Sequence, residues 1–238
     1  MYYKFEQDGK KIKNLCFNLL GKDNVILIHY GGSIAYNLVS QSSDYDVLAI
    51  TKKWVNLENV KRHDNSFQLL CLKGLDQMPK LDLFVIDYES AIKIHNLDKN
   101  TSQYVRLFID SALCLEETLI YRNESFKKEY SEFKNLDLEE KIVPYYKNIL
   151  DYYNNLYYHT SPYLYRKHEY HIFRFLDNFD RFRNTGIYSP TAYGKNFSKL
   201  LRFKNATDKD YDRCLTEFVE AKEELENKLK IYESELKH

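Results

Sequence analysis

The chain of 238 residues is long enough for one large domain or two small ones with a real core. Lysine plus arginine and aspartate plus glutamate both number 35, so no net charge drives general attachment to nucleic acid or a membrane surface, and any basic surface has to be local. The four cysteines, Cys16, Cys71, Cys114 and Cys214, form no C-x-x-C pair, which argues against a zinc site or a disulfide framework and for a reducing, cytoplasmic setting.

The N-terminal segment has no apolar signal core, and no apolar run approaches the ~18 residues of a membrane span, so neither secretion nor membrane attachment is expected. Ile12, Leu15, Cys16, Leu19 and Leu20 make a helical stripe over Lys10 to Leu20 that Gly21 stops. Val25 to His29 is a short β-branched run suited to a buried strand. A Gly31-Gly32-Ser33 turn follows, then a short helical stretch, and the segment from Asp44 to Thr51 reads as a second strand. Its period of two sends Asp44 and Asp46 to one face and Tyr45 and Val47 to the other. Two carboxylates that close repel unless a cation sits between them, and a hard divalent ion such as Mg²⁺ is the usual solution. The glycine-rich turn ahead of them offers backbone N–H groups to an anion if it opens a helix.

Phe67 to Leu72 reads as a third strand and Leu81 to Ile86 as a fourth, with Asp82 set between Leu81 and Leu83. A carboxylate in so apolar a strand is costly unless paired or bound to metal; Asp87 is the better candidate for a solvent-facing strand end. From about residue 90 the pattern turns helical, with segments over Tyr104 to Leu115 and Leu138 to Tyr158. A helix starting at Ser161-Pro162 is ended near Gly186, and a final helix opens on a Thr207–Asp210 capping box. The 22 tyrosines are read as filling semi-buried helix faces rather than as base-stacking platforms. The fold expected is α+β: a mixed-sheet catalytic domain over residues 1–115, then an all-helical domain over 116–238. At 100° per residue Lys167, His171, Arg174, Asn178 and Arg181 share one face of the long helix, opposite Ile172, Phe175, Leu176, Phe179 and Phe182. That basic stripe faces either a catalytic cleft or solvent, where Asp177 or Asp180 would pair with it.

Gly32-Ser33, a gap over 34–43, Asp44-Tyr45-Asp46-Val47 and then Leu81-Asp82-Leu83 on a later strand resemble the signature of DNA polymerase β-type nucleotidyltransferases. Within that superfamily the Gly-Ser-x-Ala-Tyr and Ser-Asp-x-Asp elements are similar to the nucleotidyltransferases of bacteria and phages, including RNA-ligase-associated members. Asn37 stands where those members usually carry Gly, a mild change because Asn tolerates left-handed backbone. The resemblance covers about residues 25–90, with a looser likeness around Tyr170-His171, Arg174 and Thr185-Gly186. It implies a metal-dependent transfer of NMP from an NTP to an acceptor hydroxyl, with pyrophosphate released. Asp44, Asp46 and Asp82 would hold two Mg²⁺ or Mn²⁺ ions, and Asp82 would help accept the proton. Gly32 and Ser33 would contact the β- and γ-phosphates, and Lys167, His171 and Arg174 would balance the triphosphate charge. An RNA or other polynucleotide end is the first acceptor implied, with a protein or small-molecule hydroxyl as alternatives and nucleotide binding without turnover as a third reading. His29 and His63 suggest no zinc, Trp54 is read as packing or cleft-mouth, and Lys195 ranks below the stripe as a phosphate contact.

Overall fold

The run 25–30 is apolar at every position except His29, and it forms strand β1 (Val25–Tyr30), buried along its whole length. A strand with no solvent-facing alternation has to lie inside a sheet with both faces covered. In the computed structural model, which describes residues 2–39, 43–58, 60–62, 67–74, 78–95, 116–128, 131, 138–157, 162–192, 194–205 and 207–237, that is where it lies. The other strands are β2 (Tyr45–Thr51), β3 (Lys61–Arg62), β4 (Gln68–Leu72), β5 (Leu81–Asp87) and β6 (Leu119–Arg122), in the order β3-β4-β5-β2-β1-β6. Only β2 and β5 run parallel; the other pairs are antiparallel, so the sheet is mixed.

Helix α1 (Tyr2–Leu20) covers one face. Its stripe of Ile12, Cys16 and Leu20 packs in one apolar cluster with Ile28, Tyr45, Val47, Leu81, Leu83 and Val85. The buried Tyr45 hydroxyl donates to Asp8 of this helix at 2.7 Å, tying the start of β2 to α1. The one-turn helix α2 (Gly32–Ala35) follows β1, and α3 (Tyr88–His95) follows β5. Ala91 and Ile94 of α3 close a second cluster with Leu48, Ile50, Phe67, Phe84 and Ile86 on the other face.

Two compact units divide the chain, residues 1–135 and 136–238. The first takes in β6, which pairs with β1 beyond the expected boundary at residue 115. Four half-buried residues carry too little period for the strand to be read from sequence. The expected helix over 104–115 lies outside the described residues.

The second unit contains helices α4 (Leu138–Tyr157), α5 (Pro162–Thr185), α6 (Gly194–Lys204) and α7 (Tyr211–Glu235). On α5 the apolar face Ile172, Phe175, Leu176, Phe179 and Phe182 is buried as its spacing requires. Tyr146 of α4 meets Phe175 and Phe179 edge-on, and Tyr232 of α7 meets Phe179 and Phe182. On α7 the buried side chains Cys214, Phe218, Ala221, Leu225 and Leu229 recur every three or four residues. Tyrosines here fill the core: Tyr145, Tyr146, Tyr153, Tyr170 and Tyr188 are all buried. Gly186, with φ +71°, ends α5 in left-handed geometry, and Thr207 donates from both N–H and hydroxyl to Asp210 before α7. Helix α6 was not legible in the sequence. Among the described residues no helix is long and apolar enough to cross a membrane.

Candidate functional site

Strand periodicity decides where the acidic residues go. Leu48 and Ile50 of β2 and Phe84 and Ile86 of β5 belong to the α3-side cluster. Asp46 and Asp82 are in phase with them, so they lie on that face at the early ends of the two strands. The strands run parallel in a register that makes Asp46 and Asp82 direct partners. Asp44 precedes β2 by one residue and is exposed.

The Gly31-Gly32 turn closes on Asp46 from the side. The Gly31 N–H donates to the Asp46 carbonyl at 2.8 Å. Gly32 has φ +52°, and a Cβ there would fall 1.9 Å from Asp46 Oδ2 and 2.9 Å from its Cβ. No side chain fits, so Gly32 is the residue that lets the turn press against the carboxylate. Ser33 follows, half-buried, in the first turn of α2. Asn37 has φ +58°, the left-handed geometry expected for the position that resembles a glycine of the motif.

Lys80 was not singled out from sequence, yet it sits among the carboxylates. Its Nζ lies 2.6 Å from Asp82 Oδ2 and 3.1 Å from Asp44 Oδ2. Partial burial works against the ammonium charge, but the hydrogen bonds and charges of Asp82 and Asp44 outweigh it and hold Lys80 above the ordinary lysine value. The signal was its place one residue before the strand carrying Asp82, on the same face by period two. The other Asp82 oxygen, Oδ1, is buried with no hydrogen-bond partner among the described residues.

Does this end of the sheet suit a divalent cation? Among the described residues no group of three His, Cys, Asp or Glu side chains is gathered closely enough to hold one. Mg²⁺ does not require such a cage, since it commonly takes one or two carboxylates and completes its shell with water and substrate phosphate. The register pair Asp46–Asp82 with the orphaned Asp82 Oδ1 fits that pattern. A preformed cage of three carboxylates does not describe the arrangement, because Asp44 and Asp82 are bridged by Lys80.

In the second unit, the stripe on α5 is less exposed than a solvated charged face. Arg174 is 1% exposed and Asn178 is fully buried. The Arg174 guanidinium lies over the Phe175 ring at 4.4 Å, and the half-buried His171 ring lies tilted against that of Tyr170. Arg181 donates to Asn178 and to the carbonyls of Ser189 and Thr191, and pairs with Asp177 at 3.2 Å, so it fastens the segment after α5. Asp180 pairs instead with Lys228 of α7. The Lys167 and Lys195 side chains and His63 lie outside the described residues. His29 is buried, its Nδ1 3.3 Å from the Thr118 hydroxyl, and Trp54 donates to Asn56. The first contact ties β1 to the residue just before β6, and the second stays within its own stretch after β2.

The chain matches no protein-family model and no curated protein. Among solved structures it is similar to a nucleotidyltransferase-like protein from Exiguobacterium sibiricum 255-15. That likeness has 13% identity and a TM-score of 0.36, over 93% of this chain and 74% of that one. A likeness so slight transfers neither fold nor function.

Proposed function

We propose that the acidic end of the sheet is the catalytic site of a metal-dependent nucleotidyltransferase, which moves NMP from an NTP to an acceptor hydroxyl. The observation that carries this reading is the pairing of Asp46 with Asp82 across parallel strands, with Gly32 pressed against Asp46. In the reaction, an oxygen–phosphorus bond forms between the acceptor and the α-phosphorus, and the bond from that phosphorus to the pyrophosphate oxygen breaks. Bound Mg²⁺ or Mn²⁺ would neutralise phosphate charge and sharpen the nucleophile. Asp46 and Asp82 would hold it, with Asp44 joining them. Asp82 would also take up the acceptor's hydroxyl proton. Gly32 and Ser33 would border the β- and γ-phosphates, while the buried Arg174 is not open to a triphosphate. A polynucleotide end as acceptor follows from the sequence resemblance alone; a protein hydroxyl is the next choice.

A second reading, nucleotide binding without turnover, draws on the Lys80 bridge between Asp44 and Asp82. Labelling separates the two. With Mg²⁺ or Mn²⁺ and each α-labelled NTP, the protein is expected to label an acceptor in cell extract, and Asp46→Asn is expected to lower that labelling at least a hundredfold or so, as for displaced catalytic groups. Equal labelling by both proteins would sink the catalytic assignment, and labelling by neither supports binding alone. Nuclease or protease sensitivity of the product then distinguishes RNA from protein acceptors.

A further inference from the structure

The lysine that bridges the carboxylates has a fixed root and a movable head. The Lys80 carbonyl accepts from Tyr45 N–H at 2.8 Å, which pins its main chain to the start of β2. Its side chain is 31% exposed, so the four-carbon stem has open space on one side. The ammonium sits between Asp82 and Asp44, the latter 36 residues before it in sequence, and it supplies the positive charge that two neighbouring carboxylates need. A divalent ion held by Asp82 Oδ1 and joined by Asp44 would lie within a carboxylate's width of this ammonium, which occupies the Oδ2 atoms of both. Two cations that close repel each other, so the ion and the Lys80 bridge compete for the pair.

We propose that Lys80 is an internal stand-in cation, which holds Asp44 and Asp82 together in the metal-free protein and surrenders them when a divalent ion enters. The proposal rests on the metal-site reading above and adds an element of regulation to it. Lys80 keeps the carboxylates gathered and charge-balanced, and it sets a threshold that the metal must exceed.

The test is Mn²⁺ binding to the full chain without nucleotide, followed by calorimetry and by the electron-spin signal of free Mn²⁺. Removing two partly exposed ion pairs should tighten binding by about fivefold in Lys80→Met. Lys80→Arg keeps the charge and is expected to stay within about twofold of the parent, because the competing cation remains. Adding Asp82→Asn to Lys80→Met is expected to abolish the gain. Equal or weaker Mn²⁺ binding by Lys80→Met, with binding by the parent intact, overturns the stand-in role and leaves the metal site standing. A gain in Lys80→Arg as large as in Lys80→Met also overturns it, since charge would not be the cause. No binding by parent or Lys80→Met at millimolar Mn²⁺ overturns both the role and the metal site.

Discussion

Asp46 is positioned by a contact that only the smallest residue permits. A methyl group at Gly32 would overlap the Asp46 carboxylate and approach its Cβ at 2.9 Å, so the side chain cannot escape by rotating its tip alone. Gly32→Ala is therefore expected to displace Asp46, adding the strain of a side chain at φ +52°. A displacement of about 1 Å lowers catalysis roughly a hundredfold. The labelling rate should fall by that order while the circular dichroism spectrum stays that of the parent. A rate within threefold of the parent would show that the turn does not position the carboxylate. Asn37 illustrates the opposite tolerance: it holds φ +58° with a side chain, because a short polar side chain accepts left-handed backbone.

Helix α5 carries its polar residues inward as well as its apolar ones. Glu169 is fully buried. Burial pushes its carboxyl up to about 7; the Cys214 thiol and the Arg213 charge pull it down, and Glu217 raises it. Arg213 in turn pairs with Asp210 and Glu217 on and before α7, and Arg202 of α6 reaches Glu217 at 3.7 Å. The unfolded carboxyl titrates near 4.3. Between that value and about 7 the folded chain keeps a proton that the unfolded chain has released, so this group makes stability fall as pH rises through the window. Glu169→Gln is expected to flatten the decline, with a higher urea midpoint than the parent at pH 8 and a similar one near pH 4.5. Parallel pH profiles for the two proteins would contradict a proton held at Glu169.

At the scale of the whole molecule, two units with separate cores share one chain. A ligand that binds only folded protein stabilises it by about 2.7 kcal/mol at a hundredfold excess over Kd. For a chain of this size that corresponds to a rise of roughly 5–10 °C in Tm. Mg²⁺ with a non-hydrolysable NTP analogue is expected to give such a rise, and Asp46→Asn to remove it. A midpoint unmoved by saturating analogue would argue against a nucleotide site.

How much of this was legible in the chain depends on how local each feature is. The alternation in β2 and β5, the stripes of α1 and α5, the glycine-rich turn and the motif spacing are properties of neighbouring residues, so side-chain period and backbone sterics alone determined them. They sufficed for the α+β class and for Asp44, Asp46 and Asp82 as candidates. Tertiary structure decided what depends on distant segments meeting. The parallel register sets Asp46 opposite Asp82, and Lys80, one residue before β5, reaches Asp44. Strand β6 joins β1 from beyond the expected boundary, and Arg174 is buried although its stripe reads as a charged surface. A hydrophobic period says which face of an element is apolar. Strand pairing and burial follow from which other elements come to cover it, and no local pattern encodes that choice.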